Sequence, residues 1–279
     1  MGSNEQRLRG KVAAITGAAR GLGRAMAQHF AAQGADLVLL DVAADVPGVP
    51  YPLGTQSQLD HTAELCREAN VSVLSASVDV RDRAQIDNAI GQATRRFGCI
   101  DILVNNAGIA APSGKIAHEI TEDEWTLMID VDLNGAWRLI QAVGPLMVER
   151  RTGSIINIAS TAGCVGYRNF AGYVAAKHGI IGLTKAVALD YAPYKVRVNA
   201  ICPGSVHDAP RVEGRMLSEI ARSLDVPIAE HEAVFVQAQP MNALVEPEDV
   251  AWAAVWLASD ESVRVTGSSV IVDGGFSIR

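Results

Sequence analysis

Short apolar runs alternate with amphipathic stretches along nearly the whole chain. The runs are rich in Val, Ile and Leu and predict buried β-strands at residues 11–16, 35–40, 71–78, 101–104, 154–160, 196–202 and 269–273. Apolar positions three or four residues apart predict helices at about residues 24–33, 59–69, 83–97, 122–150, 173–191 and 248–258. Pro145 predicts a kink late in the fourth helix. This alternation of strand and helix predicts an α/β fold.

The composition favours one large folded domain covering residues 1–279, because 49% of the 279 residues are hydrophobic and 20% are charged. The net charge of -7 disfavours nucleic acid and membrane surfaces as partners, since binding phosphates normally needs a basic patch. No apolar run approaches the ~18 residues that span a bilayer, and the polar first ten residues lack the apolar core of a signal peptide. We therefore expect a cytoplasmic protein.

The four cysteines are far apart and form no C-x-x-C pair, which predicts neither a zinc site nor a disulfide framework. They are Cys66, Cys99, Cys164 and Cys202.

A glycine-rich stretch follows the first predicted strand directly and precedes a helix. It reads Gly17-Ala-Ala-Arg20-Gly21-Leu22-Gly23. Glycines let the backbone approach a pyrophosphate closely, and the amino end of the following helix offers free N–H groups and a partial positive charge. The order strand, glycine turn, helix thus predicts a dinucleotide site, although such a loop alone could also be a simple turn.

The second predicted strand ends on Asp41, a little over twenty residues after Gly17. An acid at this place accepts hydrogen bonds from the adenine ribose hydroxyls and repels a 2′-phosphate, which predicts NAD as the cofactor. Arg20 favours NADP instead, because a base in the glycine turn could pair with that phosphate. We give Asp41 more weight, since its carboxylate faces the phosphate directly while Arg20 can swing into solvent.

A hydroxyl, a phenol and an amine occur close together in residues 160–177. Tyr173 and Lys177 are four residues apart, which places them on one face of a helix, where the ammonium lowers the tyrosine pKa. A tyrosine tuned in this way is a candidate general acid/base. Ser160 ends a predicted strand, and its hydroxyl could hold a substrate oxygen beside Tyr173. Taken alone, Tyr-x-x-x-Lys is also compatible with an ordinary surface helix.

Two segments depart from the regular alternation. Residues 43–59 contain Pro47, Pro50 and Pro52 and exceed the usual 2–6 residue connection. This insertion is either a flap over the adenosine half of the cofactor or a surface excursion, since long loops cost little.

Residues 205–245 contain no convincing strand, with a helix at about 213–224, and follow a strand's carboxyl end, which predicts a substrate lid. Four apolar side chains in that lid favour a hydrophobic substrate, unless they pack within the lid itself. They are Met216, Val234, Phe235 and Met241.

These motifs together resemble the short-chain dehydrogenase/reductase family over about residues 8–276. Residues 16–23 resemble the family's cofactor turn, and Asp79 with Val80 its adenine contact. The other matching positions are Asn106, Ala107 and Gly108 after the fourth strand, Ser160, Tyr173 and Lys177 as the catalytic set, and Pro203, Gly204 and Val206 on the nicotinamide side. The resemblance implies a doubly wound Rossmann fold with a seven-stranded parallel sheet, hydride transfer, a homotetramer and no metal.

Two residues depart from the family pattern. Asp132 stands where the family usually has an asparagine that helps hold a water in the relay to the lysine, so we include Asp132 among the catalytic candidates. If the backbone carbonyl carries that water, the change is mild. Asp208 stands where the family tends to have a threonine that contacts the cofactor. Because an acid facing pyrophosphate would be repelled, we expect Asp208 to point away.

The proline-rich insertion and the closing residues 245–267 resemble an actinobacterial branch of the family. That branch is associated with mycofactocin and carveol-type alcohols and with a nicotinamide that does not exchange readily. The resemblance implies mycofactocin as a redox partner.

Three functions are compatible with these residues. The leading hypothesis is an NAD-dependent oxidoreductase that interconverts a hydrophobic or cyclic secondary alcohol and its ketone. A 3-oxoacyl reductase using NADPH is the second, and Asp41 speaks against it. The third is a dinucleotide-binding regulator without turnover, which would not need Ser160, Tyr173 and Lys177 together.

Overall fold

A computed structural model describes residues 6–278 and contains one seven-stranded sheet in which all neighbouring strands are parallel. The strands are β1 (Val12–Thr16), β2 (Asp36–Asp41), β3 (Val73–Ser77), β4 (Ile102–Asn105), β5 (Gly153–Ile158), β6 (Val196–Pro203) and β7 (Ser269–Val272). Their order, β3-β2-β1-β4-β5-β6-β7, confirms the doubly wound fold. The order reverses between β1 and β4, and such a switch point opens a crevice at the strands' carboxyl ends.

Nine α-helices occur in residues 6–278. They are α1 (Gly21–Ala32), α2 (Gln56–Arg67), α3 (Arg83–Phe97), α4 (Glu122–Ile129), α5 (Gly135–Arg150), α6 (Ala171–Tyr191), α7 (Met216–Ser223), α8 (His231–Gln237) and α9 (Pro247–Ala258). None of them, within this described part of the chain, is both long and apolar enough to cross a membrane.

Alternate residues of the strands pack into two hydrophobic cores, one on each face of the sheet. Ala13 and Ile15 of β1 pack with α1, α2 and α9, whereas Val12 and Ala14 pack with α3, α5 and α6. Successive side chains of a strand point to opposite faces, and both faces of a parallel sheet are covered by helices. This arrangement explains why the strands read as nearly continuous apolar runs.

Two helices begin earlier than their apolar periodicity indicates. α1 begins at Gly21 rather than near residue 24, because the glycine turn itself supplies the first helical residues. α2 begins at Gln56 rather than Leu59, because the Thr55 hydroxyl accepts a hydrogen bond from the Gln58 amide and the Thr55 amide donates one to the Gln58 side-chain oxygen. The insertion is therefore a few residues shorter than 43–59.

The helix predicted at 122–150 is confirmed over its whole length, but a π-helical turn at Asp130–Asn134, which was not predicted, divides it into α4 and α5. Arg138 binds the Asp130 carboxylate at 2.6 Å, while the Asp132 side chain is turned into the protein. Such single-turn π segments are frequent at functional sites. The kink expected at Pro145, inside α5, stays a prediction.

The 205–245 segment contains two short helices and no full strand within the described chain. α7 is shorter than the predicted 213–224 because Glu213, with φ of 51°, lies in the left-handed region and cannot continue a helix. α8 was not predicted. A bridge between Val206 and Val245 joins the two ends of the segment, so it closes on itself as one unit.

Candidate active site

A cavity of about 520 Å³ lies at the carboxyl ends of the strands, across the switch point. The residues predicted from the sequence that line it are Gly17, Arg20, Gly21, Leu22, Asp41, Asp79, Val80, Asn106, Ala107, Gly108, Asp132, Ser160, Tyr173, Lys177, Pro203, Gly204 and Val206. The fold thus brings together positions up to 189 residues apart in the sequence, from 17 to 206.

The predicted catalytic side chains converge at one wall of this cavity. Ser160 follows β5 in extended conformation, and its hydroxyl accepts a hydrogen bond from the Ala162 amide at 3.1 Å. Tyr173 and Lys177 lie one turn apart on α6, with the Lys177 ammonium 5.4 Å from the centre of the Tyr173 ring. Lys177 also donates to the Ile158 carbonyl at 3.2 Å, so the end of β5 fixes the ammonium.

The pKa of Tyr173 differs from the sequence-based expectation. Burial raises this pKa above its usual value, the Lys177 ammonium and a hydrogen bond with Ser160 lower it, and the charge of Asp132 raises it. Lys177 therefore acts on this pKa in the expected direction, but burial and the Asp132 charge act against it. The sequence could not show that a second charge, Asp132, faces the same ammonium.

Asp132 forms a buried ion pair with Lys177. Its carboxylate lies 3.2 Å from the Lys177 Nζ and accepts hydrogen bonds from the Ile109 amide at 3.2 and 3.3 Å. Burial alone lowers the pKa of Lys177, but the charges of Asp132 and Tyr173 outweigh this effect and raise it. The amine is therefore held as an ammonium by direct contact with Asp132, an arrangement that the sequence motif did not indicate.

The glycine turn is rigidly attached to the loop after β4. Asn106 donates from Nδ2 to the carbonyls of Thr16 at 2.9 Å and Gly17 at 3.1 Å. Gly23 lies beneath the cavity rather than along it, and a Cβ there would be 1.9 Å from the Gly17 carbonyl oxygen. Any side chain at this position would displace the turn, which explains why glycine is required.

Asp41 lies at the end of β2 and is 8% exposed. Its carboxylate accepts hydrogen bonds from the amides of Ala19 at 2.9 Å and Ala43 at 3.0 Å. Burial raises the pKa of Asp41, and the hydrogen bonds from Ala19 and Ala43 act in the opposite direction. The Arg20 guanidinium donates to the Pro52 carbonyl of the insertion at 2.8 Å.

The insertion covers the cavity from the side of Asp41. Tyr51 is 8% exposed, and its hydroxyl accepts a hydrogen bond from the Ala110 amide at 3.0 Å. A Cβ on Gly54 would lie 2.8 Å from the Asp41 carboxylate, so the backbone passes directly against this acid. The local sequence pattern could not indicate this anchoring hydrogen bond, because its two partners are 59 residues apart in the chain.

The 205–245 segment forms the facing wall. Met216 and Phe235 line the cavity as expected, whereas the exposed Val234 and Met241 do not. The Asp208 carboxylate accepts hydrogen bonds from the amides of Leu217 and Ser218 at 3.1 and 2.8 Å, so it caps the start of α7. Because the Asp208 carboxylate binds these two amides, its position is compatible with the expectation that Asp208 points away from a bound phosphate.

A family model described as enoyl-(acyl carrier protein) reductase matches residues 17–277, which covers most of the chain. The chain is a short-chain dehydrogenase/reductase. This membership confirms the resemblance drawn from the glycine turn and the Ser160, Tyr173 and Lys177 set.

Similar members of the family share nearly the full length of this dehydrogenase/reductase. (-)-trans-carveol dehydrogenase of Rhodococcus erythropolis is 37% identical over 278 residues, 98% of this chain and 99% of the relative. The crystal structure of carveol dehydrogenase from Mycobacterium avium in complex with NAD has a TM-score of 0.90 at 34% identity, covering 98% of this chain and 99% of that one. Levodione reductase has a TM-score of 0.88 at 32% identity over the same shares of the two chains.

Proposed function

We propose that this protein is an NAD-dependent oxidoreductase that interconverts a hydrophobic, cyclic secondary alcohol and its ketone. One observation carries the proposal: Asp41 lines one end of a cavity whose other end is lined by Ser160, Tyr173 and Lys177. The similarity to carveol dehydrogenase and levodione reductase supports the class of substrate.

The residues of the cavity fit a dinucleotide. Gly17 and Gly21 have φ of 65° and 58°, a backbone conformation that exposes the turn without side chains in the way. α1 begins in the same turn, so its amino end offers N–H groups to a pyrophosphate. Asp41 would hold the ribose hydroxyls and repel a 2′-phosphate, which favours NAD over NADP.

The chain's own residues carry the proton in this reaction. The hydride chemistry is supplied by NAD when it is bound. Ser160 holds the substrate oxygen by a hydrogen bond, and the Tyr173 phenolate takes the hydroxyl proton during alcohol oxidation or returns it during ketone reduction. Lys177 stabilises the phenolate, and Asp132 keeps Lys177 charged.

The apolar wall defines the rest of the substrate site. Its residues are Val212, Met216, Leu217, Ile220, Leu224 and Phe235, all of which line the cavity. A ring of apolar carbon atoms would be removed from water there, with about 25 cal/mol gained per Å² buried. This surface favours a hydrophobic alcohol over a sugar.

The decisive experiment identifies the nucleotide that co-purifies with the protein and then screens cyclic secondary alcohols with NAD, NADP and an artificial electron acceptor. Reduction of NAD by a cyclic alcohol supports the proposal. Faster reduction of 3-oxoacyl thioesters with NADPH would replace it with the second function, and a bound nucleotide without turnover in any assay would favour a regulator. Turnover with the artificial acceptor alone would support mycofactocin as the redox partner.

We also propose a homotetramer and a cytoplasmic location for the enzyme. Both follow from the family resemblance. The exposed side chains of Trp125, Trp137 and Leu189 offer apolar surface for subunit contacts. Size-exclusion chromatography with light scattering measures the first, and cell fractionation the second.

Asp41→Ala is expected to weaken NAD binding about tenfold, because a charged hydrogen bond is lost. The affinity for NADP relative to NAD is expected to rise. The variant removes both the acceptor for the ribose hydroxyls and the repulsion of a 2′-phosphate. Calorimetric titrations with each nucleotide measure the effect, and Asp36→Ala, at the other end of β2, is the control. A wild-type preference for NADP would overturn the role given to Asp41.

Shortening the insertion is expected to speed NAD release by at least about tenfold, because each ~1.4 kcal/mol of closing contacts slows release tenfold. The variant joins Ala43 to Gly54 by a short glycine–serine turn and keeps Thr55, which caps α2. Stopped-flow displacement measures release, and Tyr51→Phe, which keeps the insertion and loses its bond to the Ala110 amide, is the comparison. An unchanged rate would make the insertion a surface excursion.

A further inference from the structure

Arg215 stands at the mouth of the cavity, just before α7, with its position fixed from both sides. On the amino-terminal side, Glu213 accepts a hydrogen bond from the Arg24 guanidinium at 2.7 Å. Arg24 lies on α1, 1% exposed, and also donates to the Ala19 carbonyl in the glycine turn at 2.7 Å. The backbone two residues before Arg215 is therefore attached, through one buried side chain, to the glycine turn.

The carboxyl-terminal side of Arg215 is held by Asp208. The Asp208 carboxylate accepts from the amides of Leu217 and Ser218, the residues that open α7. Ser218 contributes its hydroxyl as well, at 2.5 Å. Arg215 thus projects from a short stretch anchored at both ends rather than from a loose loop.

Two guanidinium groups share this part of the cavity wall. Arg20 extends from the glycine turn and Arg215 from the facing segment. Burial lowers the pKa of Arg20, and the charge of Arg215 lowers it further, so the two cations repel each other. An anion bound between two like charges attracts both of them, and this attraction offsets their mutual repulsion.

The carboxylates close to Arg20 and Arg215 already have other hydrogen-bond or ion-pair partners. Asp41 binds two backbone amides, and Glu219 pairs with Arg222. The Arg215 side chain is exposed and makes no hydrogen bond or ion pair within residues 6–278, whereas Arg211 and Arg222 of the same segment both pair with glutamates. The guanidinium of Arg215 therefore has its N–H donors available for a ligand in the cavity that it lines.

We propose that Arg215 binds the pyrophosphate of the dinucleotide from the side opposite the glycine turn. The inference rests on the proposed dinucleotide function and extends it to a cofactor contact from the 205–245 segment. A guanidinium presents paired N–H donors that match phosphate oxygens, and Arg20 supplies a second positive charge nearby. Cofactor binding then holds the segment that also forms the apolar wall for the substrate.

The test compares nucleotides that contain or lack the phosphates. In calorimetric titrations, Arg215→Gln is expected to weaken NAD and ADP about tenfold, the loss of one charge-assisted contact, and to leave adenosine unchanged. Arg168→Gln is the matched control, because Arg168 also lines the cavity and makes no hydrogen bond or ion pair in the described chain. Thermal unfolding of both variants checks that the fold is kept.

The outcomes separate this inference from the proposed function. Wild-type protein that binds neither NAD nor ADP would overturn the dinucleotide function itself. Wild-type binding of NAD with an unchanged ADP affinity in Arg215→Gln would overturn the role of Arg215 alone. A raised KM for the alcohol with unchanged ADP affinity would also overturn it and would assign Arg215 to a charged group on the substrate.

Discussion

Replacing Tyr173 by phenylalanine is expected to lower kcat by about 10²–10⁴-fold, the usual cost of losing a positioned acid/base. The phenol lies beside Ser160 and Lys177, where it can reach a substrate oxygen. Phenylalanine keeps the ring, its edge contact with Phe170 at 6.5 Å and its packing in the core. NAD affinity and thermal stability should therefore change little. Steady-state kinetics measure the loss of kcat, and calorimetric titration measures the NAD affinity.

Tyr167→Phe is the matched control, because Tyr167 also lines the cavity but forms its hydrogen bond with Thr161, at 2.8 Å. If Tyr173→Phe kept more than about a tenth of the activity, far above the residual expected without an acid/base, another group would carry the proton.

Lys177→Met is expected to lower kcat by about 10²–10⁴-fold as well, because the phenolate loses its stabilising charge. It should also reduce the free energy of unfolding by about 3–5 kcal/mol, since Asp132 is left buried without its partner. Burial raises the pKa of Asp132, so in the variant the folded-state pKa lies above the unfolded value. The loss is then smallest at low pH, where the carboxyl is protonated, and grows as pH rises. Urea unfolding at several pH values measures it.

The double variant Lys177→Met with Asp132→Asn tests the cause of that instability. It should recover most of the stability without recovering activity, because the buried charge is gone and the ammonium is still missing. Asp132→Asn alone should shift the acid limb of the pH profile for alcohol oxidation to lower pH, since the Asp132 charge raises the pKa of Tyr173. A double variant as unstable as Lys177→Met would show that the unpaired carboxylate is not the source.

The strands and the helices on their faces could be predicted because burial on both sides of a parallel sheet leaves a continuous apolar run. The glycine turn and the catalytic set are local patterns, so the sequence also indicated most of the cavity's lining. The π-helical turn at Asp130–Asn134 could not be predicted, because α4 and α5 keep an apolar periodicity through it. The turn carries Asp132, whose ion-pair partner Lys177 is 45 residues away by number.

The 205–245 segment was predicted less well for a related reason. α8 has seven residues, too few for periodicity to indicate a helix, and α7 starts where Asp208 caps it from outside the helix. The insertion likewise takes its shape from distant partners. The hydroxyl of Tyr51 accepts a hydrogen bond from the Ala110 amide, which follows β4. The Pro52 carbonyl accepts one from the Arg20 guanidinium. Contacts between segments, rather than local preferences, determine both walls of the cavity.

The buried Arg24 guanidinium limits how this protein can change its substrate range. It joins three parts of the chain by donating to the Ala19 carbonyl, the Thr62 hydroxyl and the Glu213 carboxylate. A chimera that takes residues 205–245 from another family member would leave this cation without its anionic partner unless the graft carries an acid at position 213. Breaking a buried charge pair by removing one partner is strongly destabilising. The apolar wall is therefore exchangeable by point substitution at positions such as Met216 or Phe235, whereas recombination of whole segments must preserve the Arg24 contacts.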